Sequence, residues 1–295
     1  MKLLVRAPGK VNVCLFVGPR REHGRHEVVT VLESVSLADE LSVCTRAQLP
    51  DVVECDEVIE CNLASVALER LRSRTWDGPP VRIHISKRIP VAGGMGGGSA
   101  DAAAVLRLAQ RLRPAPEQIL AQLAAELGAD VPSQLTPGLS LGTGAGDRVR
   151  AYPPLAAHAL VLLPQPYGLS AREVYREADR LGLPRDFAAL EQKRVELEGA
   201  LLPGARFPAQ LLVNDLEPAA TSLSPQVAEA LDAVREAGAD QALVSGSGPT
   251  VLGLFWDDDG AERARQSAAA LCPRFPEVQT ATPVDAEFAR PVAAD

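Results

Sequence analysis

The stretch Pro90-Val91-Ala92-Gly93-Gly94-Met95-Gly96-Gly97-Gly98-Ser99-Ala100-Asp101 carries five glycines in six positions, then a serine and an alanine-rich run. It narrows the fold more than any other segment, because only glycine lets successive backbone N–H groups converge on an anion without Cβ clashes. Upstream, Val81-Arg82-Ile83-His84-Ile85 alternates apolar and polar residues as a half-buried strand does. Downstream, Val105, Leu108, Ala109 and Leu112 fall at i, i+3, i+4 and i+7, one face of a helix. Ser99 reads as the N-cap of that helix, and Asp101 as an acidic residue of its first turn, where the dipole favours it. Strand, glycine loop and helix N-terminus in that order make a phosphate site.

Two commoner phosphate loops do not match. The P-loop requires Gly-Lys-Ser/Thr at the helix start, and the segment holds no lysine. The pattern G-x-G-x-x-G, begun at Gly94 and Gly96, would need a glycine where Ser99 stands. A flexible glycine linker is the bland alternative, and the tight placement between strand and helix speaks against it.

The chain is long enough, at 295 residues, for one large or two medium domains with a real core. Its net charge of −8 leaves no electrostatic footprint for nucleic acid. Only four of its 30 basic residues are lysines, a skew that reads as compositional rather than functional but makes each lysine easier to notice. Cys14, Cys44, Cys55, Cys61 and Cys272 form no C-x-x-C pair and have no histidine at metal spacing, which reads as reduced thiols in a cytoplasm. The first apolar run is too short for a signal peptide, and no window approaches the roughly 18 apolar residues of a membrane span. The expectation is a soluble cytoplasmic protein acting on a small molecule, with neither nucleic acid nor membrane as partner.

Residues 1–17 and 27–45 are β-rich, separated by a charged loop with Arg20, Arg21, Glu22 and His23 between Gly18-Pro19 and Gly24. A helix over 62–75 follows. Another over 117–127 ends at Gly128, read as a C′ residue, and 137–146 is rich in turn residues. The pattern restarts near 150, with a strand at 159–163 and helices over 172–180, 186–199 and 225–237. Strands over 241–244 and 250–255 flank Ser245-Gly246-Ser247-Gly248-Pro249, a hairpin or a second anion-facing loop. The division predicted is 1–150, 151–283 and a poorly ordered tail over 284–295.

Phosphoryl transfer requires charge stabilisation and an in-line nucleophile besides the loop. Lys10, in Ala7-Pro8-Gly9-Lys10-Val11-Asn12, enters an apolar strand as either a solvated charge or a functional one. Asp130, in Leu127-Gly128-Ala129-Asp130-Val131-Pro132, is either a cap for the next segment or a base. Asn12 and His26 taken singly could merely satisfy local hydrogen bonds.

Together, the segment 7–12, the glycine loop 90–101 and Ser245-Gly246-Ser247-Gly248 resemble, in order, the three motifs of the GHMP kinases. His23-Gly24-Arg25-His26-Glu27-Val28, Leu127-Gly128-Ala129-Asp130-Val131-Pro132 and Asn214-Asp215-Leu216-Glu217-Pro218 are similar to one branch, the kinases of 4-diphosphocytidyl-2-C-methyl-D-erythritol in non-mevalonate isoprenoid synthesis. So is the triple glycine before Ser99, and the resemblance covers residues 5 to 255. It implies a two-domain α+β fold, with an N-terminal ribosomal-protein-S5-like domain and a C-terminal ferredoxin-like domain, as a monomer or weak homodimer. It implies ATP and Mg2+, with the loop from Pro90 to Ala100 around the phosphates and Ser99 near the metal. Asp130 would take the proton of the substrate's 2-hydroxyl, and Lys10 would orient Asp130 and offset charge on the γ-phosphoryl. Asn12, Arg25, His26 and Tyr175 would bind the substrate. The family's loop usually reads Gly-Tyr-His-Glu, with the tyrosine on cytosine and the histidine main chain reading its edge. Here Arg25 replaces that tyrosine, and Ser170-Ala171 replaces the usual Ser-Thr. A kinase of another small alcohol such as homoserine, and a silent nucleotide-binding regulator, are the alternatives.

Overall fold

Residues 2–22, 24–45, 50–55, 62–74 and 76–294 are described by the computed structural model, so His23, Cys61 and Thr75 lie outside it. Strands β1 (Lys2–Arg20) and β2 (His26–Thr45) pair into an antiparallel ribbon, each about three times an ordinary strand in length. β1 is buried without a break from Ala7 to Gly18, the pattern of a strand covered on both faces. Its register against β2 shifts between Pro8 and Lys10 and again between Asn12 and Cys14. Such irregularities bend a strand and re-aim its side chains. Lys10 therefore sits mid-strand at a distortion, rather than just before a strand as the sequence suggested, and Asn12 lies in the strand beside it.

β3 (Val52–Cys55) runs parallel to β4 (Val81–Ser86), connected through α1 (Leu63–Ser73). β4 pairs with the C-terminal part of β2, whereas β5 (Leu139–Thr143) pairs with its N-terminal part and carries β6 (Arg148–Tyr152). Helices α2 (Gly97–Leu112), α3 (Glu117–Leu127) and α4 (Val131–Leu135) join α1 over this sheet. α2 is buried around much of its circumference, wider than the single stripe read from its sequence. Ala100, Ala102, Ala103 and Ala104 are small enough to let sheet and helices approach it from several sides.

The C-terminal half is β7 (His158–Leu163), α5 (Ala171–Arg180), α6 (Phe187–Ala200), α7 (Glu217–Leu223), α8 (Pro225–Glu236), β8 (Gln241–Val244), β9 (Val251–Trp256), α9 (Gly260–Leu271) and β10 (Gln279–Ala281). Its antiparallel sheet has the order β10-β7-β9-β8, the fourth, first, third and second strands of this half, as a ferredoxin-like unit requires. Val11, Val13 and Phe16 of β1 share one apolar cluster with Leu160, Leu162, Leu252 and Trp256. The two halves thus enclose a common core, each such side chain contributing about 1.5–3 kcal/mol when fully buried.

Several expectations need correction. Position 150 falls inside β6, whose pairing with β5 continues to Tyr152. Residues 284–294 are no loose tail: β11 (Val292–Ala293) pairs with Leu3 and Leu4, Ala289 is buried, and the Arg6 guanidinium lies 4.9 Å from the Phe288 ring centre. The turn-rich 137–146 contains β5, since its glycines punctuate a strand rather than replace it. Gly128 is the C-cap of α3 with φ 167°, extended rather than left-handed. The four described cysteines are free, and burial pushes the Cys14 thiol up to about 12.

One buried ion pair ties the halves together: His158 Nε2 on β7 lies 2.9 Å from Glu33 Oε2 on β2, and His158 Nδ1 lies 2.8 Å from the Ala156 carbonyl. Burial opposes the imidazolium, but the hydrogen bond and charge of Glu33 overcome it and raise the His158 pKa. A raised folded pKa means stabilisation that is complete below the unfolded value of about 6.5 and vanishes as pH climbs through the folded one. His158→Gln should cost on the order of 3 kcal/mol at mildly acidic pH. It should also flatten the fall in Tm on the alkaline side of pH 6.5, measured by thermal melts across a pH series. A variant with the wild-type pH profile would contradict this role.

Candidate active site

The glycine loop leaves β4 and closes under the start of α2. Gly94 and Gly96 have φ of +81° and +67°, the left-handed region that favours glycine. A Cβ on Gly94 would lie 2.6 Å from the Gly248 carbonyl oxygen, and one on Gly96 would lie 3.3 Å from Lys10 Cγ. Gly96, not Ser99, is the N-cap of α2, and no side chain caps it. The helix therefore begins at Gly97, which puts Ser99 inside it and moves Asp101 beyond its first turn. The first bond back to the N-cap runs from Ala100 N to Gly96 O at 2.8 Å. The amides of Gly97, Gly98 and Ser99 precede it and point out of the helix end, where an anion is favoured. A Cβ added to Gly98 would meet nothing within 4 Å, so the loop opens onto a cavity of about 390 Å³.

Lys10 joins this loop to the rest of the site. Its Nζ, on a side chain only 7% exposed, donates to Asn12 Oδ1 at 2.9 Å and Gly94 O at 3.2 Å, and lies 3.7 Å from Asp130 Oδ2. Its backbone N donates to Met95 O at 3.0 Å. Asn12 is held in turn, its Nδ2 donating to Thr30 Oγ1 and its backbone N to Ser245 Oγ. Asn12 thus orients Lys10 as well as lining the cavity. Asp130 precedes α4 but makes no capping bond, which leaves its carboxylate, 41% exposed, turned towards Lys10.

The Ser245–Gly248 turn abuts the same ammonium: a Cβ on Gly246 would lie 3.0 Å from Asn12 Oδ1 and 3.6 Å from Lys10 Nζ. Asn214 fixes this turn, its Nδ2 donating to Val244 O and Gly246 O at 2.7 Å each, while Glu217 Oε2 accepts from Val244 N at 3.1 Å. The Asn-Asp-Leu-Glu segment is thereby explained: it is the brace behind the third glycine motif.

A second cavity, of about 610 Å³, starts at Lys10, Asn12 and Asp130 and runs to Arg25, His26 and Tyr175. The His26 ring stacks on Tyr175 with centroids 5.1 Å apart, and its Nε2 lies 2.7 Å from Asp179 Oδ1. Burial, and secondarily the charge of Asp130, raise the Tyr175 pKa and keep the phenol protonated. Arg25 is exposed at the rim.

Lys87, which the motifs did not mark, lies beneath the glycine loop. Its buried ammonium contacts Asp39 Oδ2 and lies 2.8 Å from Asp101 Oδ2, and Asp39 Oδ1 accepts from the backbone N of Arg88 and Ile89. Burial, partly offset by Lys87, pushes the Asp101 carboxyl up to about 7. The scarcity of lysine was the only signal in the sequence that could have found it.

A glycine loop with an uncapped helix start, a buried lysine and a carboxylate between two cavities suit phosphoryl transfer to a small molecule, and the comparisons point the same way. The profile described as GHMP kinases N terminal domain matches residues 62–138, and that described as GHMP kinases C terminal matches residues 188–274. The chain is 40% identical over 291 residues to 4-diphosphocytidyl-2-C-methyl-D-erythritol kinase of Corynebacterium efficiens, covering 92% of this chain and 90% of that one. It is 46% identical over 259 residues to the kinase of that name from Mycolicibacterium gilvum, covering 83% and 80%. A crystal structure of 4-(cytidine 5'-diphospho)-2C-methyl-D-erythritol kinase matches with a TM-score of 0.74 at 32% identity, over 95% of this chain and 98% of that one. Homoserine kinase from Cytophaga hutchinsonii, at 20% identity and a TM-score of 0.61, shares the fold. The chain belongs to the GHMP kinases and, within them, to the 4-diphosphocytidyl-2-C-methyl-D-erythritol kinase family.

Asn214→Ala would strand the Val244 and Gly246 carbonyls and the Leu216 amide. Urea unfolding should register a loss on the order of 3 kcal/mol. A loss within about 0.5 kcal/mol, as at an ordinary surface site, would show that the turn holds itself.

Proposed function

We propose that this protein transfers the γ-phosphoryl of ATP to the 2-hydroxyl of 4-diphosphocytidyl-2-C-methyl-D-erythritol, a step towards isoprenoid precursors. The observation that carries the reading is the Lys10 ammonium, which touches the glycine loop on one side and faces Asp130 on the other. Phosphates bound at the start of α2 and an alcohol in the larger cavity would meet at that ammonium. Asp130 is the base that accepts the hydroxyl proton, a role worth roughly 10²–10⁴ in rate. Lys10 holds Asp130 and offsets charge developing on the transferred group, worth roughly 10²–10³. The hydroxyl is tertiary and hindered, so orienting it in line contributes much of the rate.

Pro90 to Ala100 is the ATP loop, and the φ of Gly94 and Gly96 with the free helix start supports a polyphosphate there. Mg2+ would neutralise phosphate charge, with Ser99 at the helix start as its candidate protein ligand. Among the described residues no three His, Cys, Asp or Glu cluster as metal ligands, so phosphate and water would complete its shell. Arg25, His26, Tyr175 and Asn12 are the substrate side. No helix among the described residues is long and apolar enough to cross a membrane. A cytoplasmic monomer or weak homodimer, divided between residues 1–152 and 153–283, completes the reading.

ADP release by the purified protein with MgATP should depend on 4-diphosphocytidyl-2-C-methyl-D-erythritol, and the product should be its 2-phosphate. Asp130→Asn should lower kcat about 10²–10⁴-fold while the Kd for ATP stays near wild type. Release driven by homoserine instead, or an Asp130→Asn enzyme of full activity, would overturn the assignment.

A further inference from the structure

Four arginines, Arg20, Arg25, Arg172 and Arg176, line the cavity that also holds Lys10 and Asp130. Among the described residues none of the four has a carboxylate partner within 4.0 Å, although the chain carries a net charge of −8 and many arginines elsewhere are paired, as Arg82 with Glu54 and Arg185 with Asp215. Both acidic residues in this cavity are engaged elsewhere: Asp130 faces Lys10, and Asp179 lies 2.7 Å from His26. The cavity thus presents unneutralised guanidinium groups to whatever enters it.

Their placement runs against local stability. Arg172 is the second residue of α5, where the helix dipole disfavours a cation, and Arg176 follows four residues later, a repulsive like-charge spacing. Arg172, Tyr175, Arg176 and Asp179 occupy one face, and all four line the cavity. Opposite them, Arg20 Nε donates to Gly24 O at 3.0 Å, bracing the turn that presents Arg25 at the rim. Residues that oppose local preferences in this way mark a site whose compensation comes from a ligand.

We infer that Arg172 and Arg176 from α5, with Arg25 and Arg20 from the facing turn, form a collar for the diphosphate bridge of the substrate. The inference rests on the function proposed above and adds to it the residues that recognise the bridge. A guanidinium presents paired donors that match phosphate oxygens in a bidentate way. The stacked His26–Tyr175 pair lies in the same cavity, and Lys10 and Asp130 stand at its other end. Arg25, in the place of the family's usual tyrosine, contributes charge to the bridge rather than a ring to the base. The collar is a binding and specificity device, with no part in proton or phosphoryl transfer.

The test compares two probes, CDP and cytidine, which differ only in the diphosphate, on the full-length protein by calorimetry. For the double variant Arg172→Gln, Arg176→Gln the affinity for CDP should fall about 10- to 100-fold while that for cytidine stays within about 2-fold. In turnover the KM for the substrate should rise similarly, with kcat and the KM for ATP near wild type. Arg176→Lys keeps the charge but loses the fork, and should recover only part of the CDP affinity. Loss of CDP and cytidine binding together, or no loss of either, would overturn the collar. A wild-type protein that binds CDP through these arginines yet phosphorylates no 4-diphosphocytidyl-2-C-methyl-D-erythritol would overturn the function and leave the collar standing.

Discussion

The Lys10 ammonium is the point through which the site holds together. It is almost wholly buried, so its charge must be met by polar partners, and each comes from a different part of the chain: Asn12 on its own strand, the Gly94 carbonyl in the glycine loop and the Asp130 carboxylate before α4. Asn12 extends the connection to Ser245 at the edge of the third glycine motif. Three motifs far apart in sequence are thereby brought to one charge. A burial this deep also makes the geometry costly to disturb, since moving any partner leaves an ammonium unpaired in a low-dielectric interior.

The fold supplies what that charge needs. The paired shifts in β1 turn Lys10 and Asn12 into the cleft, and the core shared between β1 and the second sheet keeps the cleft walls fixed. Beneath the glycine loop, Lys87, just past the end of β4, bonds Asp39 on β2 and Asp101 in α2, so the loop's two ends are tied to the sheet by a second buried ammonium. The larger cavity differs in character: at its far end Arg25, Arg172 and Arg176 are exposed and none has a carboxylate partner, as suits a surface that receives a charged ligand.

Much of this was legible before the coordinates, though unevenly. The glycine run announces its loop because a backbone that turns left-handed at Gly94 and Gly96 and passes close to the Gly248 carbonyl admits little else there. Alternation placed β4, helical spacing α3, and apolar runs β8 and β9, each nearly residue for residue, whereas α2 showed only one of the faces it buries. Lys10 and Asp130 were ambiguous as single residues and gained their roles only through the ordered motifs. Ser99 was misread as a cap because a left-handed glycine can open a helix without a side-chain bond. β11 was missed because two residues without periodicity carry no strand signal; its pairing with Leu3 and Leu4 is a long-range event. Lys87 could be noticed only as one of few lysines; its role was not legible, because its partners are 48 and 14 residues away.

On the function proposed above, the buried Lys10 serves the transfer step itself and not merely the binding of nucleotide. Single-turnover phosphorylation of 4-diphosphocytidyl-2-C-methyl-D-erythritol by Lys10→Met, followed by rapid quench with ATP saturating, tests it most directly. The transfer rate should drop roughly 10²–10³-fold, with the Kd for ATP, measured separately, changed less than about tenfold. A wild-type transfer rate once ATP saturates, with the whole defect in nucleotide affinity, would contradict the account.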